Sequence, residues 1–133
     1  APKDGFDLKS IAKEAKIKCL QPENINDHES QEILEQLEAD LFVLSGYNKI
    51  IKSNIINIPK YGAINLHGGK LPDYRGVAPI NWQIINGEKE GACSIIFVDE
   101  GIDTGSILYQ KKITDNESDF SMLKYYIEIF SHL

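Results

Sequence analysis

The sequence has no apolar run long enough to cross a membrane as a helix. Stretches such as Ser94–Val98 fall far short of the ~20 residues a span requires. Cysteine is scarce: Cys19 and Cys93 are the only two. They are too few and too far apart for a disulfide framework or a thiolate metal site, and their apolar neighbours predict two buried free thiols. Positive charge is in deficit. Fourteen Lys and Arg against twenty Asp and Glu leave a net charge of −6, so the chain lacks the broad basic surface that a phosphate backbone attracts. That argues against nucleic acid as a partner, with a local basic patch left open. Ala1–Lys9 carries no targeting signal, and the expected compartment is the cytoplasm. No repeat, low-complexity tract or linker interrupts the chain.

What is present is ordinary for a globular domain. At 133 residues, with 42% apolar and 26% charged residues, the chain can bury one core without staples. Residues 1–133 are read as a single, partial domain. The start at Ala1 without Met, and an end inside the apolar pattern Met122–Leu133, lead us to expect cut edges on both sides. Ile17–Leu20 is a short apolar run. Asn26 or Asp27 can cap a helix over Glu29–Glu38. Leu41–Leu44 reads as a buried strand, Tyr47–Asn54 as a possible short helix, and Ala63–Leu66 as a second strand. Pro79–Ile85 is expected to be a helix stopped by Gly87. Ser94–Val98 and Ile107–Ile113 read as strands, and Ser118 or Asp119 can cap a last helix. Apolar strands alternating with short helices predict an α/β fold built on a mostly parallel sheet with flanking helices. The last two strands are candidates for a mixed or antiparallel part.

Three loops are chemically unusual: Ser45–Lys49, His67–Gly76 and Asp99–Gly105. In open α/β sheets ligands gather outside the carboxyl ends of strands, which is where these loops are expected. Asn65 and His67 are two apart in an extended segment and so share a face. An amide donor beside an imidazole suits a carbonyl whose oxygen gains charge during reaction. Gly68 and Gly69 permit close backbone approach. Lys70 reads most simply as solvated. Arg75 can grip a phosphate or carboxylate, or lock the loop through an internal acid. Pro79 and Trp82 are expected to pack this loop against its helix. Asp103, if folded toward His67, would orient the ring. His28 and His132 have no second ligand nearby and read as surface residues, so no metal site is expected.

Asn65-Leu66-His67, Leu71-Pro72-Asp73-Tyr74-Arg75-Gly76 and Asp103-Thr104-Gly105, in this order and spacing, resemble the folate-dependent formyltransferase family. The resemblance runs from about Leu41 to Ile113. It implies a Rossmann-like catalytic domain that lacks its first βαβ unit here. It implies 10-formyltetrahydrofolate as formyl donor, an amine as acceptor, and no metal. On the matching positions, Asn65 would bind the formyl oxygen, His67 would stabilise the tetrahedral intermediate or shuttle its proton, and Asp103 would orient His67 and help deprotonate the amine through water. Tyr47, Asn48, Lys49, Ile50 and Ile51, with Val98, Asp99, Glu100, Gly101 and Ile102, would line the pterin pocket. Gly68, Gly69, Lys70 and Arg75 are the candidate substrate-binding residues.

Many relatives carry Pro-Ser where this chain has Gly68-Gly69. Gly-Gly-Lys resembles the amino-sugar branch more, and with the charge of −6 it makes a nucleotide-linked amino sugar the expected acceptor. Methionyl-tRNA is the alternative, and hydrolysis of formyltetrahydrofolate a related one. A non-catalytic folate-binding module would have no need of Asn65, His67 and Asp103 together. A purely structural fragment would have no pocket joining the three loops.

Overall fold

A computed structural model of the chain describes residues 7–114. The helix expected after Ser118, the apolar pattern from Met122 and the reading of His132 lie outside them. Four strands form one sheet in the order β1-β2-β3-β4: β1 Phe42–Ser45, β2 Ala63–His67, β3 Glu90–Phe97 and β4 Ile107–Thr114. β1 and β2 are parallel, and helix α3 (Ser53–Ile56) lies in the crossover between them, as a parallel pair requires. β3 runs antiparallel to β2 and β4 antiparallel to β3. The α/β class therefore holds, and among the described residues the sheet is mixed, with β3 and β4 forming the antiparallel part. Helices α1 (Leu8–Glu14) and α2 (His28–Glu35) precede β1, and α4 (Pro79–Ile85) joins β2 to β3. No helix among the described residues is long and apolar enough to cross a membrane.

Local chemistry explains where elements begin and end. Asp27 caps α2, its carboxylate accepting from the Ser30 amide at 2.8 Å, which holds that carboxyl below its ordinary value. The helix stops at Glu35, short of the expected Glu38. Leu37 and Glu38 make tighter turns to Leu34 and Glu35, and Glu38 has a left-handed backbone with φ 48°. The helix expected over Tyr47–Asn54 forms later, as α3. Asn26 is the reason: its side chain donates to the Ile50 carbonyl at 2.9 Å and accepts from the Lys52 amide at 2.8 Å, which diverts those backbone groups from a helical ladder. Ile17–Leu20 forms no regular element, whereas Asp7 caps the unexpected α1. α4 has the expected bounds, with Pro at its first turn and Gly87 just past its end at φ 66°, the usual asymmetry.

The core sits between α4 and the sheet, where Ile80 and Ile84, one turn apart on the helix, pack against Cys93 and Ile113. Ala92 and Ile96 are also buried on β3. Two expectations fail here. Trp82 is 55% exposed, because Gln83 and not Trp82 holds the inner face of α4. Cys19 is only half-buried, while Cys93 is buried. Burial pushes the Cys93 thiol up to about 12, and a thiol reacts through its thiolate. A thiol-specific alkylating agent at neutral pH is therefore expected to label Cys19 in the folded protein and Cys93 only after denaturation. Equal labelling of the two under native conditions, read by mass spectrometry, would contradict this core.

Candidate active site

Strand β2 delivers Asn65 and His67 on one face. Asn65 is half-buried, and His67 is 6% exposed at the carboxyl end of the strand. The third residue, Asp103, comes from the far end of the sheet. The antiparallel register sets Ile64 beside Phe97 and His67 beside Ser94, so β3 ends beside the start of β2. The loop after β3 must fold back across the sheet face for Asp103 to reach its partners. It is built for that return. Asp99 accepts from the Gly101 amide at 3.0 Å and the Thr104 hydroxyl at 2.6 Å, drawing the loop into a tight turn. A Cβ at Gly105 would collide with the Phe97 carbonyl.

Asp103 is the hub of the site. Its Oδ1 accepts from Asn65 Nδ2 at 3.2 Å. Its Oδ2 accepts from the Gly76 amide at 2.9 Å and lies 3.4 Å from His67 Nδ1. The Asp103 backbone is left-handed, φ 51°, a conformation Asp tolerates better than most residues. Arg75 Nε donates to the Asp103 carbonyl at 3.0 Å. Of the two readings open for Arg75, the structure contains the loop lock, made through a backbone carbonyl and not through an acidic side chain. On the other side of the ring, His67 Nε2 lies 2.6 Å from the Tyr74 carbonyl. A carbonyl only accepts, so this contact requires a proton on Nε2. Both ring nitrogens thus face oxygens, and the ring is held from two directions.

These groups open onto a cavity of about 370 Å³, within the size range of small-molecule sites. All three unusual loops contribute to its wall, which a purely structural fragment would lack. Asn65, His67 and Asp103 line it. So do Tyr47, Asn48, Lys49, Ile50 and Ile51 from the first loop, and Val98, Asp99, Gly101 and Ile102 from the third. Glu100 does not. Of the four candidate substrate-binding residues only Gly68 reaches the wall. Gly69 is buried behind His67, the Lys70 amide turns toward Gln83 at 3.2 Å, and Arg75 is engaged with Asp103. Sequence reasoning missed Gly76, Val77 and Ala78, which complete the rim beside Pro79. Val77 is 87% exposed there; the signal available in the sequence was an apolar residue outside any periodic run, in a segment bounded by Gly76 and Pro79.

An amide, an imidazole and a carboxylate thus converge on one pocket beside the sheet. The formyl transferase family model matches residues 3–123, and the chain belongs to that family. Over 113 residues it is 42% identical to a methionyl-tRNA formyltransferase of Caldanaerobacter subterraneus subsp. tengcongensis, covering 84% of this chain and 37% of that protein. Over 112 residues it is 46% identical to a methionyl-tRNA formyltransferase of Clostridium tetani, covering 82% and 36%. The chain thus spans little more than a third of the length of these relatives. Among solved structures, a phosphoribosylglycinamide formyltransferase from Streptococcus pneumoniae TIGR4 superposes with a TM-score of 0.79 at 24% identity, covering 96% of this chain and 75% of that one. That likeness speaks for the fold.

Proposed function

We propose that this chain is part of the catalytic domain of an enzyme that transfers a formyl group from 10-formyltetrahydrofolate to the amine of methionyl-tRNA. The observation that carries the acceptor is the 42–46% identity to proteins named as methionyl-tRNA formyltransferases. It outweighs the two features that favoured an amino sugar. Gly68-Gly69-Lys70 is a local variant, and Gly69 and Lys70 do not line the cavity. The charge of −6 counts only a stretch equal to about 37% of a relative's length, so it does not describe the surface that would meet an RNA.

The cavity suits the folate donor. Its volume is that of a small-molecule site, and Ile50 and Ile102 give it apolar walls for a flat ring. We assign the pterin to the walls supplied by Tyr47–Ile51 and by the loop after Val98. The donor supplies an activated formyl group. The acceptor nitrogen bonds to the formyl carbon, the bond from that carbon to the donor nitrogen breaks, and the proton lost by the amine ends on the donor nitrogen. In this scheme Asn65 Nδ2 has one hydrogen on Asp103 and directs the other at the formyl oxygen as its charge grows. His67, whose Nε2 proton is held by the Tyr74 carbonyl, works from Nδ1 and relays the proton with Asp103, 3.4 Å away. Asp103 holds both and takes up the amine proton through water.

Replacing Asn65 by Ala is expected to lower kcat on the order of 10²–10³-fold with folding retained, the cost of one oxyanion donor. A loss below tenfold would remove Asn65 from that role. The acceptor is tested by giving the intact protein containing this chain the donor with methionyl-tRNA, a nucleotide-linked amino sugar and glycinamide ribonucleotide in turn. Formylation of methionyl-tRNA alone is expected. Formylation of the sugar alone would overturn the acceptor assignment, and release of formate without any formylated amine would favour the hydrolase.

A further inference from the structure

His67 is followed by two glycines, the residues with the most backbone freedom. Side chains from α4 and β3 restrain them. Gln83, fully buried on the inner face of α4, donates from Nε2 to the Gly68 carbonyl and the Pro79 carbonyl, both at 3.1 Å. Its Oε1 accepts from the Lys70 amide and the Ala92 amide, both at 3.2 Å. One carboxamide therefore grips both sides of Gly69 and ties them to α4 and β3. Ser94 adds a bond to the Gly69 carbonyl at 2.7 Å. Position 69 itself is wedged against the ring: a Cβ there would stand 2.6 Å from His67 Nε2 and 2.5 Å from the Tyr74 carbonyl oxygen. The backbone at Gly69 is thus the spacer that sets where the ring meets its carbonyl partner.

We propose that Gln83 is a positioning residue for His67, acting through the path of Gly68-Gly69-Lys70. Gln83 does not itself line the cavity but holds Gly68, which does. The proposal rests on the catalytic reading of His67 and deepens it, because it names what lets this chain use Gly-Gly at that point. Without the carboxamide the glycines gain freedom, the Tyr74 carbonyl and the ring lose their fixed relation, and the reactive geometry is populated less. Misplacement of this order lowers the rate without weakening binding.

The test uses the intact protein with Gln83→Ala, and with Gln83→Met, which fills the space without hydrogen-bonding. Three quantities are read: amide hydrogen exchange at Lys70 and Ala92, kcat and KM for the donor, and the same kinetics in a His67→Ala background. Expected are faster exchange at both amides, a fall in kcat of about 10–10²-fold with KM for the donor within about twofold, and no added loss once His67 is absent. Unchanged exchange overturns the inference whatever His67 does. So does a kcat within twofold of wild type, an equal loss in both backgrounds, or failure of both variants to fold, since each makes Gln83 merely structural or idle. A His67→Ala enzyme with wild-type kcat overturns the catalytic reading instead, and is told apart by the exchange data.

Discussion

Replacing His67 with Ala is expected to lower kcat on the order of 10²–10⁴-fold, the range for loss of a positioned proton-transfer group. The ring is 6% exposed, faces an oxygen at each nitrogen, and shares its strand face with Asn65. A histidine held only for packing would not need a carboxylate delivered to it by a loop that folds back from the far end of the sheet. Part of the variant's cost is structural, because the half-buried Tyr74 carbonyl loses its donor. Thermal unfolding measured beside the kinetics separates the two. A folded His67→Ala protein with kcat within tenfold of wild type would remove the ring from the chemistry.

Asp103→Ala is expected to cost about as much, on the order of 10²–10⁴-fold in kcat. The carboxylate is shared: Asn65, the Gly76 amide and His67 all lose it at once. Arg75 holds the Asp103 carbonyl and not its side chain, so that tether survives, but Ala tolerates the left-handed backbone at position 103 less well than Asp. Asp103→Asn keeps that backbone preference, and in it the rate loss is expected without loss of the pocket. Groups that act as a unit are not additive, so the Asp103→Ala, His67→Ala double variant should be little slower than either single one. Multiplied losses in the double variant would show that the two side chains act independently.

Much of this site was legible in the sequence because its parts are local. Asn65 and His67 share a face by strand periodicity alone, and their spacing needs no tertiary information. Helix α4 was legible from Pro79 and Gly87, which act on the backbone wherever they stand. Asp103 was a candidate only on condition that its loop folds toward His67, and family resemblance supplied that condition, since no local rule brings a loop back across a sheet. Long-range side-chain contacts defeated the rest. Asn26 acts on Ile50 and Lys52 from twenty-four residues away or more, and that contact displaced the expected helix. Trp82 and Gln83 are neighbours on α4, and composition favours burying the tryptophan. The chain buries the glutamine because four backbone groups need its amide.

The most direct test of the central claim counts products. The intact protein is given 10-formyltetrahydrofolate and methionyl-tRNA, and tetrahydrofolate, formylated product and formate are quantified together in wild type and His67→Ala. Formylated methionyl-tRNA equal to the tetrahydrofolate released is expected, with no formate, and loss of both in the variant. Formate equal to tetrahydrofolate without formylated product, or undiminished transfer in His67→Ala, would contradict that claim.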